Sequence, residues 1–139
     1  TGLRRVVIEA DGPKVQVRQS WLNPDLKINL STPVLVGRHL YGHGPDKDFV
    51  CVDASTGAIQ WRQTGFNQYA STLASGSRLL VLNDTGEVIL LEASPTRYTE
   101  LGRFQACGKT FSHPAYAHGI LYTRDSRELV AWPLKPSAR

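Results

Sequence analysis

Residues 51–61 read Cys-Val-Asp-Ala-Ser-Thr-Gly-Ala-Ile-Gln-Trp, and the order of the acidic, glycine and aromatic residues in that stretch decides the fold. An apolar run, Phe49–Val52, leads into the polar turn Asp53-Ala-Ser-Thr-Gly57, and a second strand carries Trp61. This is the pattern of a β-hairpin. The question is whether the hairpin stands alone or is one copy of a larger repeating unit.

Working outward, short apolar runs dominate the chain. They are Val6–Ile8, Val15–Val17, Pro33–Val36, Phe49–Val52, Leu79–Leu82, Val88–Leu91, Ile120–Tyr122 and Leu129–Trp132, with Gly, Asn, Asp, Ser or Pro close to nearly all of them. Such spacing predicts an all-β chain rich in hairpins. The best helix candidate, 24–28, is short and flanked by Asn23 and Asn29, and no convincing amphipathic helix is present.

Three segments align with one another, beginning at Ser31, Ser71 and Ser112. Each opens on serine and a short apolar patch, and passes a glycine turn at Gly37, Gly76 or Gly119. Each then forms an apolar hairpin with a polar turn: His43 to Asp48, Asn83 to Gly86, and Arg124 to Arg127. A period of about 40 residues holding four short strands is that of a propeller blade. One blade cannot bury both faces of its sheet, so stacked copies are a physical requirement. A β-sandwich with evenly spaced strands is the alternative, but it does not account for serine, glycine and turn recurring at one period.

The expected fold is therefore all-β, a partial β-propeller of about three to three-and-a-half four-stranded antiparallel blades. The expected divisions are end strands of a preceding blade in 1–30, blades in 31–70 and 71–111, and a terminal blade in 112–139. Asp53 is suited to accept hydrogen bonds from the turn amides, and Gly57 to take a left-handed backbone. Trp61 is suited to wedge its ring between one blade and the next.

Asp53, Thr56, Gly57 and Trp61 together form D-x-x-T-G-x-x-x-W. This resembles the signature of the pyrroloquinoline-quinone-like propeller repeat, found in quinoprotein alcohol dehydrogenases and in a bacterial outer-membrane assembly lipoprotein with a propeller fold. The blade opening Ser31-Thr32-Pro33 is similar too, and the resemblance runs from about residue 31 to 134. Only the first repeat carries the whole signature. The second has Glu92-Ala-Ser-Pro95 and no tryptophan, and the third has Trp132 displaced and no Asp-x-x-Thr-Gly. The resemblance implies a periplasmic, outer-membrane-associated or secreted address. It also implies that quinone and calcium belong only to the full-length family context; no cofactor is expected in this chain. Complete rings of the family have seven or eight blades, about 300 residues or more. The 139 residues therefore read as a piece of a longer protein, and they open with no signal peptide.

Composition narrows the function classes. Hydrophobic residues make up 41% and charged residues 20%, which places the chain among globular domains. The 16 basic and 12 acidic residues leave a net charge of +4, but the basic ones are scattered, with no stripe of interleaved aromatics for nucleic acid. No apolar run reaches membrane-spanning length. Cys51 and Cys107 show no metal spacing, and Cys51, inside an apolar strand, reads as a buried free thiol.

Candidate chemistry is sparse. Gly42 to Asp48 places two carboxylates and a histidine on one loop, but lacks the alternating oxygens and distal glutamate of a calcium loop. His39 and His43 lie four apart in a strand and turn, where that interval does not align them as on a helix. His113-Pro114 aligns with Thr32-Pro33, favouring a structural role, and His118 has no ligand spacing. Asp84 to Glu87 matches the aspartic-protease triplet in letters only and reads as a hairpin turn. The sequence thus supports a non-catalytic propeller scaffold that binds a protein or ligand, with catalytic and metal residues absent. Its expected partners are the other blades of a parent protein, a second copy, or another protein, and no nucleic acid. The alternative is a fragment of a quinone-dependent dehydrogenase.

Overall fold

A computed structural model describes residues 2–27 and 31–134. Every regular element among them is a β-strand, and strands pair only with sequence neighbours, in four antiparallel sheets. The first sheet is the two-stranded ribbon of β1 (Leu3–Asp11) and β2 (Lys14–Asn23). Strands β3 (Val34–Val36), β4 (His39–His43), β5 (Asp48–Asp53) and β6 (Ile59–Thr64) form the second. The third holds β7 (Ala70–Ser75), β8 (Arg78–Asn83), β9 (Glu87–Glu92) and β10 (Glu100–Gln105). The fourth holds β11 (Ala115–Ala117), β12 (Ile120–Arg124) and β13 (Leu129–Pro133).

The helix candidate at 24–28 is not helical where described. Pro24 and Asp25 form a turn, Leu26 and Lys27 are irregular, and Ile28 and Asn29 lie outside the described residues. Pro24 follows Asn23, whose carboxamide Oδ1 accepts the Asp25 amide at 3.0 Å, an Asx turn that competes with helix formation.

The unbroken apolar runs are explained by burial on both faces. Along β5, Phe49 and Cys51 enter a core shared with Leu79, Val81, Ile89 and Leu91 of the third sheet. The alternate residues Val50 and Val52 point the other way, into a core with Leu26, Leu3 and Ile59. Along β8, Leu79 and Val81 face the second sheet, while Leu80 and Leu82 face a core containing Leu121 of the fourth. Side chains alternate across a strand with period two, so a sheet sandwiched between two others must be apolar at consecutive positions. Each core thus lies between consecutive sheets, and the short strands β3 and β4 lie against β7.

The outer strands were less visible in the sequence. In β6 (IQWRQT) exposed and half-buried residues alternate, and β10 (ELGRFQ) is mostly exposed, because an outermost strand meets solvent on one side. The β1–β2 ribbon is longer than its apolar triplets indicated, reaching its tip at Gly12-Pro13 between the paired Asp11 and Lys14.

A bulge recurs where the last two strands of a sheet meet. It falls between Cys51 and Val52 opposite β6, and between Arg5 and Val6 opposite β2. In these two places Trp61 stands opposite Cys51 and Trp21 opposite Arg5. The bulge twists the strand end and re-aims the side chain beside it.

Candidate functional site

The four signature residues lie in one turn and the strand after it. The Asp53 carboxylate accepts the Ser55 amide at 2.7 Å, the Thr56 amide at 3.2 Å and the Ser55 hydroxyl. Thr56 Oγ1 accepts the Ala58 amide at 3.2 Å, and the backbone closes with Gly57 N donating to Asp53 O at 2.8 Å. Gly57 has φ of +78°. The Ser55 hydroxyl and amide, with help from the Thr56 amide and Arg38, hold the Asp53 carboxyl below its ordinary range, as hydrogen bonds to the ionised form do. Asp53 is therefore committed to closing its own turn.

The aromatic residues join sheets. Trp61 donates its indole N–H to Ser94 O, in the turn of the next sheet, at 2.9 Å across 33 residues. Its ring meets Tyr98 edge-on at 5.9 Å. Trp21 repeats the arrangement one sheet earlier, donating to Ala54 O at 3.1 Å, again across 33 residues. Asn23 adds a 2.7 Å bond to Gly57 O. Trp21 also lies on Gly57: a Cβ there would sit 2.6 Å from the ring's Cε3. The sequence reading missed Trp21 as the counterpart of Trp61. Its signal was the repeat period, since the two tryptophans stand at positions 21 and 61. Trp132 differs, donating to Ala106 O at 3.1 Å and Thr123 Oγ1 at 3.2 Å.

The other candidates are dispersed. His43 is buried, with its Nε2 3.1 Å from Asn67 O, while His113, ahead of β11, and His118, in the turn between β11 and β12, are exposed. On the Gly42–Asp48 loop, Asp48 is buried and ion-paired to Arg62 at 2.8 Å. Asp46 is 3.7 Å from the same guanidinium. Asn83, fully buried, caps the turn that follows it by accepting the Thr85 and Glu87 amides at 3.1 and 3.0 Å. Among the described residues, no three His, Cys, Asp or Glu side chains converge as a metal set. Cys51 and Cys107 are both free and buried. Burial pushes the Cys51 thiol up to about 11 and raises that of Cys107. The Arg103 guanidinium lowers the Glu100 carboxyl, and the amides of Arg127, Glu128 and Gly108 lower that of Asp125. All these shifts favour the form each group already holds at neutral pH, whereas acid–base chemistry needs a group brought toward neutrality.

Consecutive four-stranded antiparallel sheets, packed face to face with short strands on one side, define the fold as a partial β-propeller. BamB from Moraxella catarrhalis is similar in structure over 94% of this chain and 43% of its own, with a TM-score of 0.71 and 15% identity. The computationally designed protein Ika8 is similar over 93% of this chain and 46% of its own, with a TM-score of 0.63 and 11% identity. The chain thus spans less than half the length of either. No family model and no curated protein matches it in sequence. At these identities the likeness speaks for the fold.

Proposed function

We propose that this chain is a non-catalytic segment of a propeller that serves as a protein-binding scaffold, in the periplasm or at the outer membrane of a bacterium. The observation that carries this reading is the β1–β2 ribbon. Ile8, Val15 and Val17 are 66%, 65% and 65% exposed and Val6 is 43% exposed. With Ile8 paired to Val17 and Ala10 to Val15, they share one face. Soluble domains rarely leave so much contiguous apolar surface without a partner. The location is supported by the repeat's resemblance to an outer-membrane assembly lipoprotein and by the likeness to BamB. The remaining blades of a longer ring are the first partners to expect, since the end sheets hold two and three strands among the described residues.

The second reading, a fragment of a quinone-dependent dehydrogenase, rests on the full signature at Asp53, Thr56, Gly57 and Trp61. These residues are occupied with turn closure and sheet packing, so the signature supports the repeat rather than the reaction. Titration with pyrroloquinoline quinone and calcium separates the two. The expected outcome is no saturable binding and no dye-linked alcohol oxidation; tight binding with oxidation would overturn the scaffold reading.

A further inference from the structure

We propose that the junction between the third and fourth sheets is a socket for a tryptophan side chain of a partner protein. This rests on the scaffold reading above and specifies what the scaffold grips. In the two earlier junctions the chain supplies that ring itself. Each wedge tryptophan stands just past a β-bulge, Trp21 opposite Arg5 and Trp61 opposite Cys51. The third sheet repeats the bulge between Glu100 and Gly102 and sets Gly102 opposite Leu90. Trp21, Trp61 and Gly102 are 40 and 41 residues apart, as are Ser31, Ser71 and Ser112. Glycine thus stands where the repeat places its indole, and a Cβ there would meet nothing beyond the adjoining residues within 4 Å.

The residues beside Gly102 are left uncovered. In the second sheet Val34, Tyr41, Cys51 and Trp61 lie side by side across the strands, and in the third Leu73, Leu80, Leu90 and Gly102 do so. Tyr41 and Cys51 are 1% and 0% exposed, whereas Leu90 is 38% exposed. A cavity of about 420 Å³ opens there, lined by Leu73, Leu80 and Leu90 with Tyr116 of β11 and Leu134 just after β13. Tyr116 offers a ring to an incoming indole, as Tyr98 does to Trp61. The gap arises inside the chain, from Gly102 in place of tryptophan and from Ser75 in place of Val36 at the end of the first strand of the sheet. Trp132 does not refill it, because its ring packs on Phe104 at 5.2 Å and its N–H is held by Ala106 O and Thr123 Oγ1.

The filled junctions of the same molecule indicate the occupant, because the position past the bulge holds an indole in both. A tryptophan side chain buries on the order of 200 Å² and is a frequent anchor of protein interfaces when seated in a pocket. A second copy has none to offer. The chain holds three tryptophans, and each donates its N–H to a carbonyl of its own chain, Trp21 to Ala54, Trp61 to Ser94 and Trp132 to Ala106. An aliphatic side chain would fill less of the cavity and forgo the ring-to-ring contact with Tyr116.

The test is a titration of the full chain with the peptide Gly-Ser-Trp-Ser-Gly, followed by NMR of the leucine methyl groups. The peptide Gly-Ser-Leu-Ser-Gly and free indole serve as comparisons. The tryptophan peptide should saturate, with shifts concentrated at Leu73, Leu80, Leu90 and Leu134. It should bind at least about ten-fold more tightly than the leucine peptide, about 1.4 kcal/mol. Gly102→Trp returns the ring to the chain and should remove at least about ten-fold of the peptide's affinity. Because Gly102 has φ of +159° and a side chain there can disturb the bulge, Leu90→Asp is the second variant. It should weaken binding by as much, with circular dichroism confirming the fold. No saturation below about 10 mM, equal binding of the two peptides, shifts centred on the ribbon, or undiminished binding by either folded variant would each overturn the proposal. So would free indole binding about ten-fold more tightly than the peptide, which would make the cavity a small-molecule site. None of those results produces quinone-dependent oxidation, the outcome that would sink the scaffold reading itself.

Discussion

Gly57 is constrained twice, by its own backbone and by a neighbour's ring. Its φ of +78° disfavours any side chain, and a Cβ would stand 2.6 Å from Trp21 Cε3. Gly57→Ala is expected to cost about 1–3 kcal/mol, measured by urea unfolding. In a Trp21→Ala background the same change should cost less; an equal cost would show that the backbone alone sets the constraint. Asp53 gives a prediction in pH. Its carboxyl is lowered in the folded state, first by the Ser55 hydroxyl and amide. Its contribution to stability is therefore complete above the unfolded value, about 3.9. It is lost as pH falls through the lower folded value. Asp53→Asn should flatten the acid limb of the stability curve. Variant and wild-type curves that stay parallel below about pH 4 would refute the linkage.

At the scale of elements, tryptophans link each sheet to the next. Trp21 ties the ribbon to the second sheet through Ala54, and Trp61 ties the second to the third through Ser94. The ribbon beyond Val6 and Gln19 has no such tie: its strands pair with each other and contribute to none of the three cores except through Leu3. Replacing residues 7–18 with the six-residue turn of 53–58 is therefore expected to shift Tm by no more than about 2 °C. A loss above about 5 °C would mean that the arm braces the sheets. The turn signature was legible in the sequence because its chemistry is local, with aspartate, threonine and glycine acting within six residues. The arm was not, because Val6–Ile8 and Val15–Val17 read the same whether their face is covered or bare.

Across the whole molecule, the two ends do not complement each other. The ribbon contributes two strands and the last sheet three among the described residues, one more than a four-stranded blade holds. Two copies joined end to end would overfill each junction, and the net charge of +4 opposes their approach. Light scattering of the 139-residue chain is expected to give the mass of one copy, 15.4 kDa. A mass of twice that would show the ends joining by another route.

The sequence by itself determined the most apolar strands, the turn chemistry and the repeat period, because each depends on residues adjacent or at fixed offsets in the chain. The structure buries the runs Phe49–Val52 and Leu79–Leu82 on both faces and leaves Val15 and Val17 bare. Only the tertiary structure decided which surfaces remain open. Leu3, Leu26, Val50 and Ile59 are brought into one core by the packing of one sheet on another. Trp21 meets Gly57 for the same reason. Such meetings depend on how sheets twist and stack, and no periodicity along the chain encodes them.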